Sequence, residues 1–292
     1  MVDRYHVEGL ARGLKILSVF SENRRELTLT EIAALTSLPV STCFRILHTL
    51  QESDYVERLP NGSFAPGLAV LSLGFAAMRS SELAQASAAP LRKLATEIGE
   101  TVNLGVLSGS QVLYIQRVPS AEMLIANIQI GSLLPAAATS IGKLLLAFRP
   151  PADLRVRLTA GDFGRAQGPN AIRSLDALLP QLKIIREANW SVQDEEMAFG
   201  LRSIAVPVRD SEGDVAAAIN VAVSVSRWTI EDLIAGCLER MRKTAEEISK
   251  RWASTGDGRV SPLPHGRNSG VAVKPKAGLR PKRTARASLP SL

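Results

Sequence analysis

Residues 28–51 read TLTEIAALTSLPVSTCFRILHTLQ, and this stretch contains two short apolar runs at helical spacing, separated by LTSLP. Thr28 followed by Glu31 is a capping box, in which each side chain bonds a backbone N–H group at the start of a helix. Pro39 suits the first turn of a helix, because the N–H group that it lacks would have no helical partner there. The stretch therefore predicts one helix from Thr28 to Leu35 and another from about Pro39.

The second of these helices has two chemically different faces. Its apolar face, which we expect to be buried, consists of Cys43, Ile46, Leu47 and Leu50. Its opposite face is polar and consists of Ser41, Thr42, Arg45, His48 and Thr49. Hydroxyl groups near a helix N-terminus suit phosphate oxygens, and an arginine can bind a guanine edge or a phosphate. The stretch is either a DNA-reading helix-turn-helix or an ordinary helical hairpin whose polar face is solvated.

The flanking segments favour the DNA-reading alternative. A helix is predicted before the stretch, over Glu8–Phe20, with one apolar face formed by Leu10, Leu14, Leu17 and Phe20. After it, YVERLPNGSFAP predicts a strand, a tight turn at Asn61-Gly62 and a second strand. Such a hairpin is a candidate wing, whose Arg58 and Asn61 we expect to contact the DNA backbone.

Length and composition allow two domains with buried cores, since the chain has 292 residues and 46% of them are hydrophobic. No apolar run approaches the roughly 18 residues that a membrane span requires, and no apolar signal region lies near the N-terminus. Two cysteines, Cys43 and Cys237, are too few for a disulfide framework. We therefore expect a cytoplasmic protein with no membrane contact.

The net charge of +7 resides in the C-terminal tail. Residues 254–292 contain eight basic residues and one acidic residue, so the rest of the chain is electrically balanced. The tail is also rich in Pro, Gly and Ser, which predicts disorder. It is either a solvated appendage or a non-specific grip on nucleic acid through counterion release. The charge therefore does not by itself support DNA binding by residues 28–51.

The remaining sequence predicts a connecting helix and a second module. Leu68, Leu71, Phe75 and Met78 repeat at helical spacing directly after the hairpin. A helix from about Ser87 precedes three predicted strands, VNLGVL, QVLYIQRV and MLIANIQI, the last at 123–130. A helix starting near Ser140, another over 175–188, two strands within 203–223 and a closing helix over 229–252 follow. This order predicts a largely antiparallel sheet covered by helices, and an α+β protein as a whole.

Catalytic motifs are absent from the second module. It contains no G-x-S-x-G elbow, no H-E-x-x-H pair and no histidine, which argues against a catalytic triad or a histidine metal site. The acidic run Asp194, Glu195 and Glu196 does not form a paired-carboxylate site, because consecutive residues in an extended segment point to opposite faces. GSLLPAAATSIG, by contrast, provides backbone N–H groups at the start of a helix, a natural seat for a carboxylate. We expect a binding module without catalytic residues, metal or cofactor; an enzyme acting on small acids is the alternative.

The chain resembles the IclR-type transcriptional regulators. VEGLARGLKILSVF and the stretch from Leu27 to Arg58 are similar to the family's winged helix-turn-helix. LGVLSGSQVLYIQRV, GSLLPAAATSIGKLLLA and QDEEMAFGLRSIAVPVRDSEGDVAAAINVAVSVSR are similar to its effector-binding module. GLRSIAVPVRD and LPAAATSIGKLLLA are most similar to the subgroup that controls aromatic-acid breakdown through the β-ketoadipate pathway. Ser37 departs from the Gly that is usual at that turn, where a positive φ would suit Ser less well.

The resemblance implies an N-terminal winged helix-turn-helix at 1–66, a linker helix at 67–80, a GAF-like α/β effector domain at 81–253 and a tail at 254–292. It further implies a homodimer or homotetramer that binds duplex operator DNA and responds to a small carboxylic acid, either aromatic or non-aromatic. The implied effector residues are Thr139, Ser140, Ile141, Gly142, Asp194, Ser203, Asn220 and Ala222. Arg202 is the obvious counter-charge for an acid, but strand alternation places it opposite Ser203, so we favour Ser203.

Overall fold

A computed structural model describes residues 5–21, 24–120 and 128–255 of the chain. The N-terminal part consists of helices α1 (Glu8–Leu17), α2 (Leu29–Thr36) and α3 (Val40–Glu52), followed by a hairpin of β1 (Val56–Arg58) and β2 (Phe64–Pro66). The two short strands pair antiparallel, and Leu27 joins their sheet through a bridge to Phe64. The helix-turn-helix and the wing predicted from the sequence are both present.

The turn between α2 and α3 forms as its sequence predicts. Thr28 accepts a bond from the backbone N–H of Glu31, and the Glu31 carboxylate accepts one from the backbone N–H of Thr28. Ser37 ends α2 in the left-handed region, with φ 54°. A residue with a Cβ atom is strained there relative to glycine, so the departure at Ser37 carries a small conformational cost. Pro39 precedes the first helical residue of α3 rather than lying within the first turn.

The core of this N-terminal part contains Ile16, Ile32, Cys43, Leu47, Val56 and Phe64. Leu10 and Leu14 of the predicted apolar face of α1 are 63% and 55% exposed. Helix α1 packs through Gly13 and Ile16 instead, and the side chain of Ile46 lies close to Gly13. The leucine stripe of α1 therefore faces outward.

Helix α4 (Leu68–Ser80) follows the hairpin directly and has no buried residue. Its apolar side chains Leu68, Leu71, Leu73 and Phe75 are all more than half exposed. An apolar helix with this much exposed hydrophobic surface is typical of an interface with another chain.

The second part contains a six-stranded antiparallel sheet of order β5-β4-β3-β8-β7-β6. Its strands are β3 (Thr101–Ser108), β4 (Gln111–Val118), β5 (Leu133–Pro135), β6 (Ser191–Asp194), β7 (Leu201–Arg209) and β8 (Val215–Ser224). Of the strand predicted at 123–130, residues 123–127 lie outside the described part, and residues 128–130 are not extended in a sheet. The short strand β5 begins three residues after the end of the predicted strand and pairs with β4.

Helices cover both faces of the sheet. On one face, α5 (Glu82–Ile98) and α9 (Ile230–Ala253) pack against an apolar core that includes Leu104, Ile219 and Val221. On the other lie α6 (Ser140–Ala147) and α8 (Leu175–Ala188), with the short α7 (Pro151–Arg157) nearby. Helix α5 begins five residues before the predicted start, because Ser81 caps it by accepting a bond from the Ala84 N–H group.

Within the described ranges, no helix has both the length and the apolarity that crossing a membrane requires. Cys43 and Cys237 are buried free thiols. Most of the predicted tail, residues 256–292, lies outside the described part of the chain.

Candidate DNA interface and effector site

Helix α3 presents the predicted polar face to solvent. Ser41, Arg45, His48 and Thr49 are exposed and Thr42 is half-buried, while Cys43 and Leu47 anchor the opposite side in the core. The start of α3 has no side-chain cap, which leaves its first N–H groups directed at any ligand in front of the helix. His48 Nδ1 lies 3.5 Å from Glu52, so this histidine is linked to a carboxylate on its own helix. Phe44 is also exposed on α3, and its apolar ring does not belong to the predicted polar set.

The wing residues differ in their freedom to reach DNA. Arg58 lies over the ring of Phe64, 5.9 Å from its centroid, with its side chain on the surface. Asn61 Oδ1 accepts a bond from the Ser63 N–H group at 2.9 Å, and Asn61 Nδ2 donates to Glu26 at 3.4 Å. The Asn61 side chain therefore stabilises the turn of the wing, whereas Arg58 is positioned for a phosphate.

A cluster of buried polar side chains lies between the sheet and the start of α6. Ser140 Oγ is 2.7 Å from Ser203 Oγ, and Asn220 Nδ2 donates to Ser140 Oγ at 3.4 Å. Asn103 Nδ2 donates to Asn220 Oδ1 at 2.8 Å, which extends the cluster across the central strands. We call Ser140, Ser203, Asn220, Asn103 and Gln193 the polar cluster. These side chains bond one another inside a largely apolar domain, and their hydroxyl and amide groups can both donate and accept hydrogen bonds.

Other residues implied by the resemblance support the cluster rather than belong to it. Thr139 caps α6 by accepting a bond from the Gly142 N–H group at 3.0 Å. A Cβ atom on Gly142 would come within 2.2 Å of the carbonyl oxygen of Ala136, so only glycine permits this close packing. Ile141 is fully buried in the apolar core on the α6 face of the sheet. Ala222 pairs with Ser203 and adds no polar group.

The structure places Asp194, one of the implied effector residues, away from the polar cluster. Its cross-strand partner is Arg202, and Asp194 Oδ1 accepts a bond from Arg202 Nε at 2.7 Å. Neighbouring residues of a strand point to opposite faces, so Asp194 lies on the α9 face, away from Ser203. Gln193 pairs with Ser203 instead and occupies the position expected for Asp194, with its carbonyl oxygen 3.4 Å from Ser203 Oγ. Arg202 lies on the α9 face, as the strand alternation predicts.

Sequence reasoning also missed two residues at this site. Asn103 is a buried polar residue flanked by Val102 and Leu104. A polar residue within an apolar strand can be recognised from sequence as a candidate site residue. Arg117 on β4 pairs with Asn103, and its Nη1 donates to Asn103 Oδ1 at 3.1 Å. Burial lowers the pKa of Arg117, because desolvation disfavours its charged form.

The comparisons with known proteins identify both parts of the chain. The family described as "IclR helix-turn-helix domain" matches residues 9–60, and "Bacterial transcriptional regulator IclR C-terminal" matches residues 75–250. The chain belongs to the IclR family. The Pca regulon regulatory protein of Pseudomonas putida is 35% identical over 77% of each chain. The transcriptional regulator XynR of Escherichia coli is 31% identical over 84% of this chain and 96% of that protein.

The structures agree with this membership. The crystal structure of a transcriptional regulator from Rhodococcus sp. RHA1 has a TM-score of 0.70 and 33% identity, and it aligns with 86% of this chain and all of that one. The chain is therefore an IclR-family transcriptional regulator and not an enzyme, and its helix-turn-helix binds DNA. Its C-terminal domain is of the type that binds small-molecule effectors.

An ion pair lies beside the polar cluster in this IclR-type domain. Lys143, one turn after Ser140 on α6, bonds Glu196 in the segment that follows β6, and both side chains are almost fully buried. The second carboxylate oxygen of Glu196 has no hydrogen-bond partner within the described residues. Desolvation lowers the pKa of Lys143 and raises that of Glu196, so burial opposes both charges even though they attract each other. The pair ties α6 to the segment after Gln193.

Proposed function

We propose that this IclR-family protein is a cytoplasmic regulator that binds operator DNA through α3 and senses a small carboxylic acid in its C-terminal domain. The proposed acid is aromatic or derived from an aromatic compound, and the regulated genes are catabolic. A non-aromatic acid is the alternative. The observation that carries the proposal is the polar cluster, which gathers hydroxyl and amide groups at the N-terminal end of α6 inside an otherwise apolar domain.

Similarity to the Pca regulon regulatory protein supports the aromatic class. Other relatives are not named for the Pca regulon. Examples are XynR and the regulator KdgR of Dickeya chrysanthemi, which is 30% identical to this chain. The names of relatives therefore do not decide which class of acid this protein binds, and binding measurements test that class directly.

A thermal-shift screen tests the effector class. The panel contains protocatechuate, 4-hydroxybenzoate, muconate, β-ketoadipate and glyoxylate. A compound that binds only the folded protein raises the melting temperature in proportion to the logarithm of its concentration. A shift with the first four and none with glyoxylate supports the aromatic class, and the reverse result supports the alternative. Incubation followed by chromatography checks that the acid is bound and not consumed.

Arg45 provides the test of the DNA interface. It is exposed on α3, and within the described part of the chain no carboxylate lies within ion-pair distance of it. Arg45→Ala should weaken specific binding by about 1–3 kcal/mol if Arg45 contacts a base edge. Gel-shift titrations on operator and unrelated DNA separate the roles, because a phosphate contact would weaken both equally. No loss on either DNA would contradict a role for Arg45.

The C-terminal tail offers a rival DNA contact, so the truncated chain 1–253 is the matched control. On our proposal it retains its preference for operator DNA, and only its salt dependence becomes shallower. Loss of all DNA binding on truncation would instead assign the contact to the tail.

We also propose that α4 pairs two chains as a homodimer, alone or within a homotetramer, with domain boundaries at 1–66, 67–80 and 81–253. The support is the exposed apolar surface of α4 and of Leu10 and Leu14 on α1. A two-fold pair of α3 helices would match a palindromic operator. Sedimentation equilibrium measures the number of chains.

A further inference from the structure

The inference concerns Arg117, which lies at the edge of the polar cluster. Its strand, β4, pairs with β3, and Arg117 directly opposes Asn103. The cross-strand partner of Asn103 on its other side is Asn220, so the three side chains follow one another across the same face of the sheet. A chain of three hydrogen bonds connects the guanidinium to the start of α6. The bonds measure 3.1 Å from Arg117 to Asn103, 2.8 Å from Asn103 to Asn220 and 3.4 Å from Asn220 to Ser140.

The guanidinium of Arg117 is half-buried and has no counter-charge among the described residues. Within residues 5–21, 24–120 and 128–255, no carboxylate approaches it to ion-pair distance, and its one hydrogen bond goes to the neutral amide of Asn103. A guanidinium has five N–H donors, so most of its hydrogen-bonding capacity is unused by the protein. Partial burial also lowers its pKa, because removal of water disfavours the charged guanidinium. A desolvated cation of this kind is stabilised by an anion.

The other buried cations near the site are already neutralised. Lys143 bonds Glu196, and Arg202 bonds Asp194 on the opposite face of the sheet. Arg157, which is also largely buried, holds Asp153 on its own helix. Arg117 therefore differs from these residues in facing the polar cluster without a carboxylate partner.

We infer that Arg117 binds the carboxylate of the effector and makes the regulator selective for acids over their neutral analogues. This assignment rests on the proposed function, in which the effector is a small acid. A carboxylate can accept two parallel bonds from the guanidinium, a geometry that an amide or ester does not reproduce with the same strength. The hydroxyls of Ser140 and Ser203 and the amide of Asn220 then bind polar groups on the rest of the molecule.

The test compares each acid with its own neutral form in four proteins. Isothermal titration calorimetry is performed with protocatechuate and 4-hydroxybenzoate and with the corresponding primary amides. The proteins are the full-length wild type, Arg117→Gln, Arg117→Lys and the control Arg202→Gln. The control removes an arginine from the same sheet on the face that does not contact the polar cluster. Urea unfolding of each protein verifies that it is folded.

The wild type should bind acid at least tenfold more tightly than amide. Arg117→Gln should bind the acid about 10- to 100-fold more weakly, with little remaining selectivity, because it loses a charge-assisted hydrogen bond. Arg117→Lys should retain part of the selectivity, since it keeps the charge but not the forked geometry. Arg202→Gln should keep the wild-type selectivity. A merely structural role of Arg117 would weaken acid and amide equally.

Three results would overturn the inference, and they have different meanings. Equal acid affinity in wild type and Arg117→Gln would remove Arg117 from the site while leaving the acid-sensing proposal intact. Equal binding of acid and amide by the wild type would show that no cation of the protein recognises the carboxylate. This outcome is measured on the wild type alone, so it does not depend on whether a variant folds. Binding of the amides alone would contradict the acid class itself, and the assignment of Arg117 with it.

Discussion

The two faces of the six-stranded sheet place similar residues in opposite settings. On the α9 face, the central strands contribute Leu104, Ile219 and Val221 to an apolar core, and its arginine, Arg202, is paired with a carboxylate. On the α6 face, the same strands contribute Asn103 and Asn220, and the arginine there bonds only an amide. Alternation along β3 and β8 separates these settings by a single residue.

The difference between the faces separates stability from recognition. A paired charge and a close-packed apolar surface satisfy one another and leave nothing for a ligand to complete. A row of buried hydroxyls and amides bonded to one another next to a guanidinium offers polar groups that a ligand could bind in exchange for these internal bonds. We therefore assign the α9 face to the scaffold and the α6 face to the sensor.

The largest expected effect is on the free energy of unfolding, and it comes from the buried ion pair of Lys143 and Glu196 on the α6 face. Lys143→Met would leave the buried Glu196 carboxylate without its partner and should lower the free energy of unfolding by about 3–5 kcal/mol. Replacing both residues by Met should restore most of this loss, since no buried charge would remain. Urea unfolding at pH 7 measures both values. Equal losses in the single and double variants would show that packing matters more than charge.

The same variant makes a prediction about pH. In Lys143→Met the folded-state pKa of Glu196 lies further above its ordinary value of 4.5 than in the wild type, because the attraction to Lys143 is gone. A group whose pKa is raised by folding contributes stability below 4.5 and loses it as the pH rises through the folded-state value. The deficit of the variant should therefore be greater at pH 8 than at pH 5.

Two adjacent residues of β3 allow the most direct comparison of the faces. Leu104→Ala creates a cavity on the α9 face and should cost about 2–5 kcal/mol of stability, with acid binding unchanged. Asn103→Ala removes a partner from both Asn220 and Arg117 and should cost about 1–3 kcal/mol. It should also weaken acid binding, which calorimetry detects. If the leucine variant lost acid affinity and the asparagine variant kept it, the assignment of the faces would be reversed.

The smallest effect is expected at the ion pair of the α9 face. The side chains of Arg202 and Asp194 are 14% and 32% exposed, so the Asp194 carboxylate still meets solvent when its partner is removed. Arg202→Gln should therefore lower stability by only about 0.5–1.5 kcal/mol and leave acid affinity at the wild-type level. Thermal melting and calorimetry on the same sample measure both. A large loss of affinity would place this arginine in the sensor.

Local signals explain why the helix-turn-helix was predictable. The capping box at Thr28 and Glu31, the break at Pro39 and the turn at Asn61-Gly62 each act within a few residues, so they operate wherever the chain is placed. The face of α1 that is buried was not predictable in this way. It depends on which stripe of α1 meets α3, and Gly13 permits a closer approach than the leucine stripe does.

The sensor site was harder to predict because it depends on register. The implied residue Asp194 is one position away from Gln193, which pairs with Ser203 in the polar cluster, and in a strand one residue exchanges the two faces. Arg117 escaped detection because its position relative to Asn103 depends on an irregularity between Leu104 and Gly105, which shifts the pairing of β3 with β4. A sequence pattern does not reveal such a shift.

The bond between Asn103 and Asn220 joins residues 117 positions apart, which orders events during synthesis. The buried core of the DNA-binding helices uses only residues within 16–64, so we expect it to form early in synthesis. The central strand pair β3–β8 cannot form until residues 215–224 have been translated. On each new chain, the core of the DNA-binding helices can therefore form before the last central strand of the C-terminal domain has been synthesised.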